Sequence, residues 1–218
     1  MDIYAETADE RRELADTFDE LTVAESQAPS LCHAWTVHDI AAHLVMVLEI
    51  SVPQFMRALV RARGSFDRAN DRLTQTWAER PLPELSEALR NLADSRFTPP
   101  GAGPEAPLAD VLVHGMDVRK PLGISRDIPP GRVEAALGFL ADFKPVPGQP
   151  GPTLVARHLL DGLRLQADDL DWSHGTGRVV AGRGQDLLLA ITGRMAGAQN
   201  LTGPGAPALL SRLRAGQR

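Results

Sequence analysis

Hydrophobic positions recur at helical spacing through the first two thirds of the chain. In residues 5–26, apolar side chains fall every three or four positions with charges between them, which predicts an amphipathic helix that ends before Pro29. Thr36 followed by Asp39 is a typical helix start, because each side chain can cap a backbone N–H of the other residue. The stripe on the helix that follows is Ile40, His43, Leu44, Val47 and Leu48. Pro53 should kink this helix or end it.

Three more helices are predicted over residues 82–97, 106–121 and 130–143. The pattern changes at residues 144–153, where four prolines and two glycines favour a linker. Beyond it, "LRLQADDLDW" and "GRVVAG" alternate like strands, and "QDLLLAITGRMAG" is a helix that ends at glycine. We therefore predict an α+β protein, with a helical domain in residues 1–144 and a small α/β domain in residues 145–218.

Composition and charge narrow the classes of function. The net charge of −5 argues against nonspecific binding to nucleic acid, which requires clustered cations. The chain has no apolar run of roughly 20 residues, the length of a membrane span, and its acidic start is unlike a signal peptide. The single cysteine, Cys32, excludes an internal disulfide and fits a reducing compartment. We expect a cytoplasmic protein that binds neither nucleic acid nor membrane.

A group of metal-binding residue types lies on two of the predicted helices. Asp110 and His114 are four residues apart and so share one helix face, while His43 comes from a different helix. Two ligands from one helix and one from another can hold an ion inside a bundle. Three nitrogen and oxygen ligands leave zinc an open fourth position, as in catalytic sites. Asp117 could orient a ligand imidazole from outside the metal.

Other interpretations of these residues stay open on spacing alone. An acid and a histidine four residues apart also occur as an ordinary surface pair, and a histidine in an apolar stripe can be a core residue. The remaining histidines show no partner in the sequence. Cys32 has no neighbouring cation or helix terminus that would activate its thiol, so we interpret it as a packing residue.

Three ordered blocks of the sequence resemble a known family. "CHAWTVHDIAAHL" resembles the W-[ST]-V-x-D-[LIV]-x-A-H-L signature of the mycothiol-dependent maleylpyruvate isomerase family of actinobacteria. "DVLVHGMDVRKPLG" is similar to that family's acid-x-x-x-His pair followed by "DVRRALG". The tail "GLRLQADDLDWSHGTG…VVAG…DLLLAITGR" resembles its small C-terminal domain. The resemblance covers nearly the whole chain.

The resemblance implies a fold, a metal and a cosubstrate. The N-terminal domain would be a DinB-like four-helix bundle that binds a divalent metal, usually zinc, through His43, Asp110 and His114. The acid is commonly Glu in the family and is Asp here, one methylene shorter. Mycothiol would be the thiol cosubstrate. Arg194 would bind a substrate carboxylate, although a cation that stabilises a helix C-terminus is an equally good interpretation.

Three hypotheses of function follow. In the first, a metal-bound thiolate attacks an electrophilic small molecule, and the enzyme is an isomerase or an S-transferase. In the second, a metal-bound water makes the protein a hydrolase, with Asp117 or Glu49 as the general base. In the third, the chain is a non-enzymatic module that binds a small ligand. The sequence does not identify the substrate or the oligomeric state.

Overall fold

The computed structural model describes residues 1–99, 101–143 and 158–216. They form two compact units, one of residues 1–125 and the other of residues 126–143 together with 158–216. The predicted linker, residues 144–153, lies outside the described residues. The domain boundary predicted between residues 144 and 145 stays a prediction. Residues 126–143 belong to the same compact unit as the C-terminal residues.

The first unit is helical throughout. Its helices are α1 Ile3–Asp19, α2 Val23–Ser26, α3 Val37–Glu49, α4 Val52–Arg61, α5 Phe66–Trp77, α6 Leu82–Asn91 and α7 Glu105–Arg119. Helix α1 packs on α6 and α7, and α3 packs on α5, α6 and α7. The core between them is apolar, and its members include Leu14, Phe18, Ile40, Leu85, Leu89 and Val111.

Reciprocal capping boxes divide this unit into more helices than the hydrophobic pattern predicts. The predicted helix over residues 5–26 is two helices, because Thr22 and Glu25 cap the start of α2. Ser51 and Gln54 do the same at the start of α4, so the chain turns before Pro53, which lies in the first turn of α4. Helix α5 was not predicted.

The helix predicted over residues 82–97 is also longer than the one observed. Helix α6 ends at Asn91 rather than at residue 97. The guanidinium of Arg11 donates hydrogen bonds to the carbonyl oxygens of Ala93 and Ser95, at 2.9 and 2.8 Å. These carbonyls therefore find their partner in α1 instead of in a further helical turn.

The second unit combines helices with a small sheet. It contains α8 Pro130–Asp142, β1 Leu163–Ala167, β2 Ser173–Gly175, β3 Arg178–Gly182, α9 Gly184–Ile191, α10 Met195–Ala198 and α11 Ala206–Gly216. The strand order is β2-β1-β3, with β2 antiparallel and β3 parallel to β1. At the start of β3, Gly177 has φ +124°, and a Cβ there would overlap the carbonyl of Gly162.

The fold class is α+β, as predicted. The predicted strands correspond to β1, whose side chains are alternately buried and exposed, and to β3. The helix predicted over "QDLLLAITGRMAG" is interrupted after Ile191, where Gly193 takes φ +91°, and α10 follows. Strand β2 and helix α11 were not predicted. Among the described residues, no helix combines the length and the apolar character needed to cross a membrane.

Candidate metal centre

Helices α3 and α7 bring His43, Asp110 and His114 together. The Nε2 atoms of His43 and His114 lie 3.6 and 3.5 Å from the same carboxylate oxygen, Oδ1 of Asp110. Both imidazoles are almost completely buried, with 8% and 11% of their side-chain surface exposed, while Asp110 keeps 35%. The three side chains thus converge at one point, where Asp110 keeps part of its side chain exposed.

Helix α7 is buried along most of its length, and Asp110 is the exception. From Pro107 to Arg119 every side chain is buried except that of Asp110. A helix that is covered on all faces belongs to the core, so its polar groups must be satisfied by specific partners. The acid of the predicted site is therefore the one gap in the packing around this stretch.

The donor set fits a divalent metal such as zinc. One ligand atom from each of the three residues lies within 4.8 Å of the other two. Tetrahedral zinc holds such donors at about 2.0–2.1 Å, which places neighbouring donors roughly 3.3 Å apart. The two contacts of Asp110 already approach that separation, so its shorter side chain reaches both imidazoles.

Asp117 fixes the orientation of His114. Its carboxylate is completely buried and lies 2.9 Å from Nδ1 of the imidazole. An ionised carboxylate only accepts hydrogen bonds, so Nδ1 carries the proton and Nε2 presents its lone pair towards Asp110. The contact is compatible with the predicted role of Asp117, a carboxylate that orients a metal-binding imidazole, and that role stays a prediction.

The surroundings keep Asp110 ionised. Burial raises the pKa of this carboxyl group. Its hydrogen-bond contact with His43 and its electrostatic interactions with His114, His43 and Arg11 outweigh burial, so the pKa falls to about 2. The carboxylate is therefore available as an anionic ligand at any pH near neutrality.

Sequence reasoning missed one residue of this site, Trp35. Its ring centroid lies 5.0 Å from that of His43 and 6.0 Å from that of His114, and the two imidazoles lie 4.8 Å apart in an edge-on arrangement. Only 8% of Trp35 is exposed. The residue directly precedes the helix start at Thr36, but no spacing rule connects that position with α7.

Comparison with known families identifies this unit. The family model of the mycothiol maleylpyruvate isomerase N-terminal domain matches residues 7–120, more than half of the 218 residues. The chain belongs to this family. The resemblance seen in the sequence is thereby confirmed.

Solved structures with the same fold cover both units. The chain is similar to a crystal structure of the mycothiol-dependent maleylpyruvate isomerase, with a TM-score of 0.58 and 16% identity over 94% of this chain and 92% of that one. A histidine-to-alanine mutant of that isomerase gives a TM-score of 0.57, with the same identity and coverage. No curated protein sequence matches the chain. At this identity the likeness establishes the fold, and the family's mycothiol-dependent members support an enzyme.

The other candidate residues of this family member lie apart from the three donors. Glu49 accepts hydrogen bonds from Trp77 and Arg80, at 2.7 and 2.9 Å. Cys32 is partly buried and packs against the core, as expected. His38, in the first turn of α3, lies 3.1 Å from the carbonyl oxygen of Ala78. His33 is exposed.

Arg194 lies in the second unit, directly before α10. Its guanidinium donates a hydrogen bond of 2.7 Å to the carbonyl oxygen of Thr192, the residue that caps the end of α9. This contact agrees with a cation that stabilises a helix C-terminus. The binding of a substrate carboxylate by Arg194 stays a prediction.

Proposed function

We propose that this protein is a metal-dependent enzyme that uses mycothiol to transform a small electrophile, as an isomerase or an S-transferase. The observation that carries the proposal is the convergence of His43 and His114 on one oxygen of Asp110. These three residues would hold a divalent metal, with zinc expected from the family resemblance and compatible with two imidazoles and a carboxylate. The chemistry that such an ion supplies is a lowered pKa of a coordinated thiol, which would release its proton to solvent and be a thiolate at neutral pH.

Asp110, Asp117 and His114 have distinct roles around the open position of the proposed metal. Asp110 supplies negative charge and lies at the one gap in the packing of α7. Asp117 keeps the proton of His114 on Nδ1 and so leaves Nε2 free to bind. The nucleophile comes from the cosubstrate, so the enzyme needs no activated cysteine of its own, in agreement with the packing role of Cys32.

The substrate class follows from the chemistry of the thiol. A thiol that adds to a cis double bond conjugated to a carbonyl leaves a single bond that can rotate, and its departure then gives the trans isomer. When the thiol stays, the adduct is the product of an S-transferase. Maleylpyruvate, the substrate named for the similar structures, is the first compound to test. We keep Arg194 as the candidate that binds a substrate carboxylate, and the cytoplasm as the expected location.

No specific observation favours either alternative, a hydrolase or a ligand-binding module. A hydrolase would need a general base beside the metal. Asp117 is buried against His114, and Glu49 is engaged by Trp77 and Arg80. A purely ligand-binding module would also need an accessible site, so the exposure of Asp110 does not distinguish it from an enzyme. Activity that depends on mycothiol distinguishes the proposed enzyme from both.

The first test is the metal content of protein purified without chelator, measured by plasma mass spectrometry. We expect about one divalent ion per chain in the wild type and its loss in His43→Ala and His114→Ala, because two protein ligands hold an ion poorly. His38→Ala is the matched control, since this imidazole bonds a backbone carbonyl instead. Equal metal in all four proteins would remove the ligand assignment.

The second test is the reaction itself. Metal-loaded protein is incubated with maleylpyruvate, with and without mycothiol, and the products are followed by NMR. Formation of the trans isomer only with mycothiol supports an isomerase, and accumulation of a thiol adduct supports an S-transferase. Turnover that is equal without thiol would contradict both forms of the proposal.

A further inference from the structure

We propose that Trp35 is a positioning residue, which sets the relative orientation of the two imidazoles, and that residues 29–36, here called the Trp35 loop, hold it in place. The inference rests on the proposed metal site and assigns a role to a residue outside the three donors. It makes the loop before α3 a part of the metal centre, although none of its side chains belongs to the donor set.

The first support is the shared contact of the rings. His43 belongs to α3 and His114 to α7, yet the same indole packs against both, at centroid distances of 5.0 and 6.0 Å and interplanar angles of 42° and 32°. An imidazole on a helix can turn about its Cβ–Cγ bond, because this torsion has broad minima. A large flat ring against both imidazoles restricts that rotation for both at once, and so fixes the angle of 69° between them.

The second support is the way the backbone of Trp35 is held. Its carbonyl oxygen accepts hydrogen bonds from the backbone N–H and the hydroxyl of Ser30, at 3.0 and 2.8 Å, and its own N–H donates to Cys32. The next residue, Thr36, begins α3 in a reciprocal box with Asp39. Both sides of the tryptophan are therefore anchored, so the indole is not the side chain of a loose loop.

The third support is a direct tie between the Trp35 loop and α7. The N–H of Leu31 donates a hydrogen bond of 3.1 Å to the carbonyl oxygen of Asp117, whose carboxylate holds His114. Ala34 takes φ +68°, a left-handed conformation that is strained for a residue other than glycine. Such strain persists where the surrounding contacts determine the conformation, and here it precedes the residue that covers the imidazoles.

The fourth support is the partner of the indole on α5. Asp71 neighbours the indole of Trp35: burial raises the pKa of this carboxyl group, and the interaction with the tryptophan offsets the rise only in part. Helix α5 packs on α3, so this carboxylate approaches the ring from a different element than the Trp35 loop. The backbone contacts of Trp35 therefore carry the inference, and the approach from α5 adds a neighbour on a second element.

A cobalt titration tests the role, because the visible spectrum of Co²⁺ reports the geometry of its ligands. The variants are Trp35→Leu, which removes the ring, Trp35→Phe, which keeps a smaller one, and Ser30→Ala, which loosens the loop. Trp77→Leu is the matched control, since its half-buried indole bonds Glu49 and not the imidazoles. The dissociation constant for Co²⁺ and the absorption bands are measured, with circular dichroism as the check of folding.

We expect Trp35→Leu to bind Co²⁺ about 10- to 100-fold more weakly than the wild type, the usual effect of losing a group that orients metal ligands. Its absorption bands should shift, Trp35→Phe should recover part of the affinity, and Ser30→Ala should weaken binding without touching any ring. If Trp35→Leu does not fold, Trp35→Phe and Ser30→Ala decide the question.

Two results would overturn the inference. Affinity and bands in the Trp35 and Ser30 variants that equal those of the wild type, or a loss that Trp77→Leu shares, would leave Trp35 as an ordinary core residue. Failure of the wild type itself to bind Co²⁺ would instead refute the metal site of the proposed function, and the positioning role with it.

Discussion

Nδ1 of His114 lies 2.9 Å from the buried carboxylate of Asp117, and Nδ1 of His158 lies at the same distance from the exposed carboxylate of Asp161. Both pairs are three residues apart in the sequence, but only the first faces a site with two further metal-binding groups. The second pair is therefore a control that the chain itself provides.

Asp117→Asn should weaken metal binding while the protein stays folded. The amide oxygen can still accept the proton of Nδ1, but it lacks the charge that makes the imidazole a better ligand, so we expect an affinity about 10-fold lower. Competition with a chromogenic chelator gives the dissociation constant. Asp161→Asn should change nothing, and an equal effect of both substitutions would contradict the role of Asp117.

Substitutions of Asp110 test whether the shorter acid is a ligand. Asp110→Asn removes the charge at the centre of the site, and we expect the loss of most bound metal. Asp110→Glu restores the acid that is common in the resembling family, and should bind metal within about 10-fold of the wild type because the side of this residue is open. Metal per chain is measured after dialysis. Full metal in Asp110→Asn would show that the acid is not a ligand.

Arg194→Lys distinguishes the two interpretations of this arginine. A lysine can still stabilise the end of α9, so the unfolding temperature should stay the same. It cannot form the two parallel hydrogen bonds of a guanidinium with a carboxylate, so we expect KM of the thiol-dependent reaction to rise about 10-fold or more. An unchanged KM would restrict Arg194 to its contact with the carbonyl of Thr192.

The contact between α1 and α6 should make the stability of the bundle depend on pH. Burial raises the pKa of Asp19, but its hydrogen bond with Ser86 and its ion pair with Arg90 hold this pKa below its ordinary value. A carboxyl group with a lowered pKa stabilises the fold above the pKa of the unfolded chain, and the effect disappears as the pH falls through the folded value.

Asp19→Asn should therefore lower the free energy of unfolding near pH 7, and the difference from the wild type should shrink as the pH falls below about 4. Urea unfolding at a series of pH values measures this. Glu87→Gln, which changes an exposed acid on α6, is the control. A difference that stays constant down to pH 3 would show that the charge of Asp19 contributes nothing.

The sequence indicated which residues come together at the candidate site more accurately than it indicated where the helices begin and end. The spacing of Asp110 and His114 suggested a shared face, and the resemblance added His43 from another helix. Thr22 and Glu25 have the spacing of a capping box, which could have indicated the start of α2. The hydrophobic residues keep their helical spacing across this position, so one long helix was predicted. The end of α6 depends on Arg11, a residue about eighty positions away, so local pattern could not give it.

Trp35 shows the same limit at the site itself. Its place against the imidazoles depends on a left-handed Ala34 and on a hydrogen bond from the loop to α7, neither of which has a sequence signature. Likewise, α8 follows the bundle in the chain but packs on α9. Hydrophobic periodicity predicts that such a helix exists without predicting which neighbour covers it.

Because α7 is at once a core element and the source of two proposed ligands, the proposed metal site would couple metal supply to protein abundance. An ion that binds only the folded chain stabilises it in proportion to the logarithm of its concentration over the dissociation constant. In a cell depleted of that metal, the protein would lose activity and also become more susceptible to proteolysis, since unfolded chains would be more frequent. Metal starvation would thus lower the amount of the protein as well as its activity.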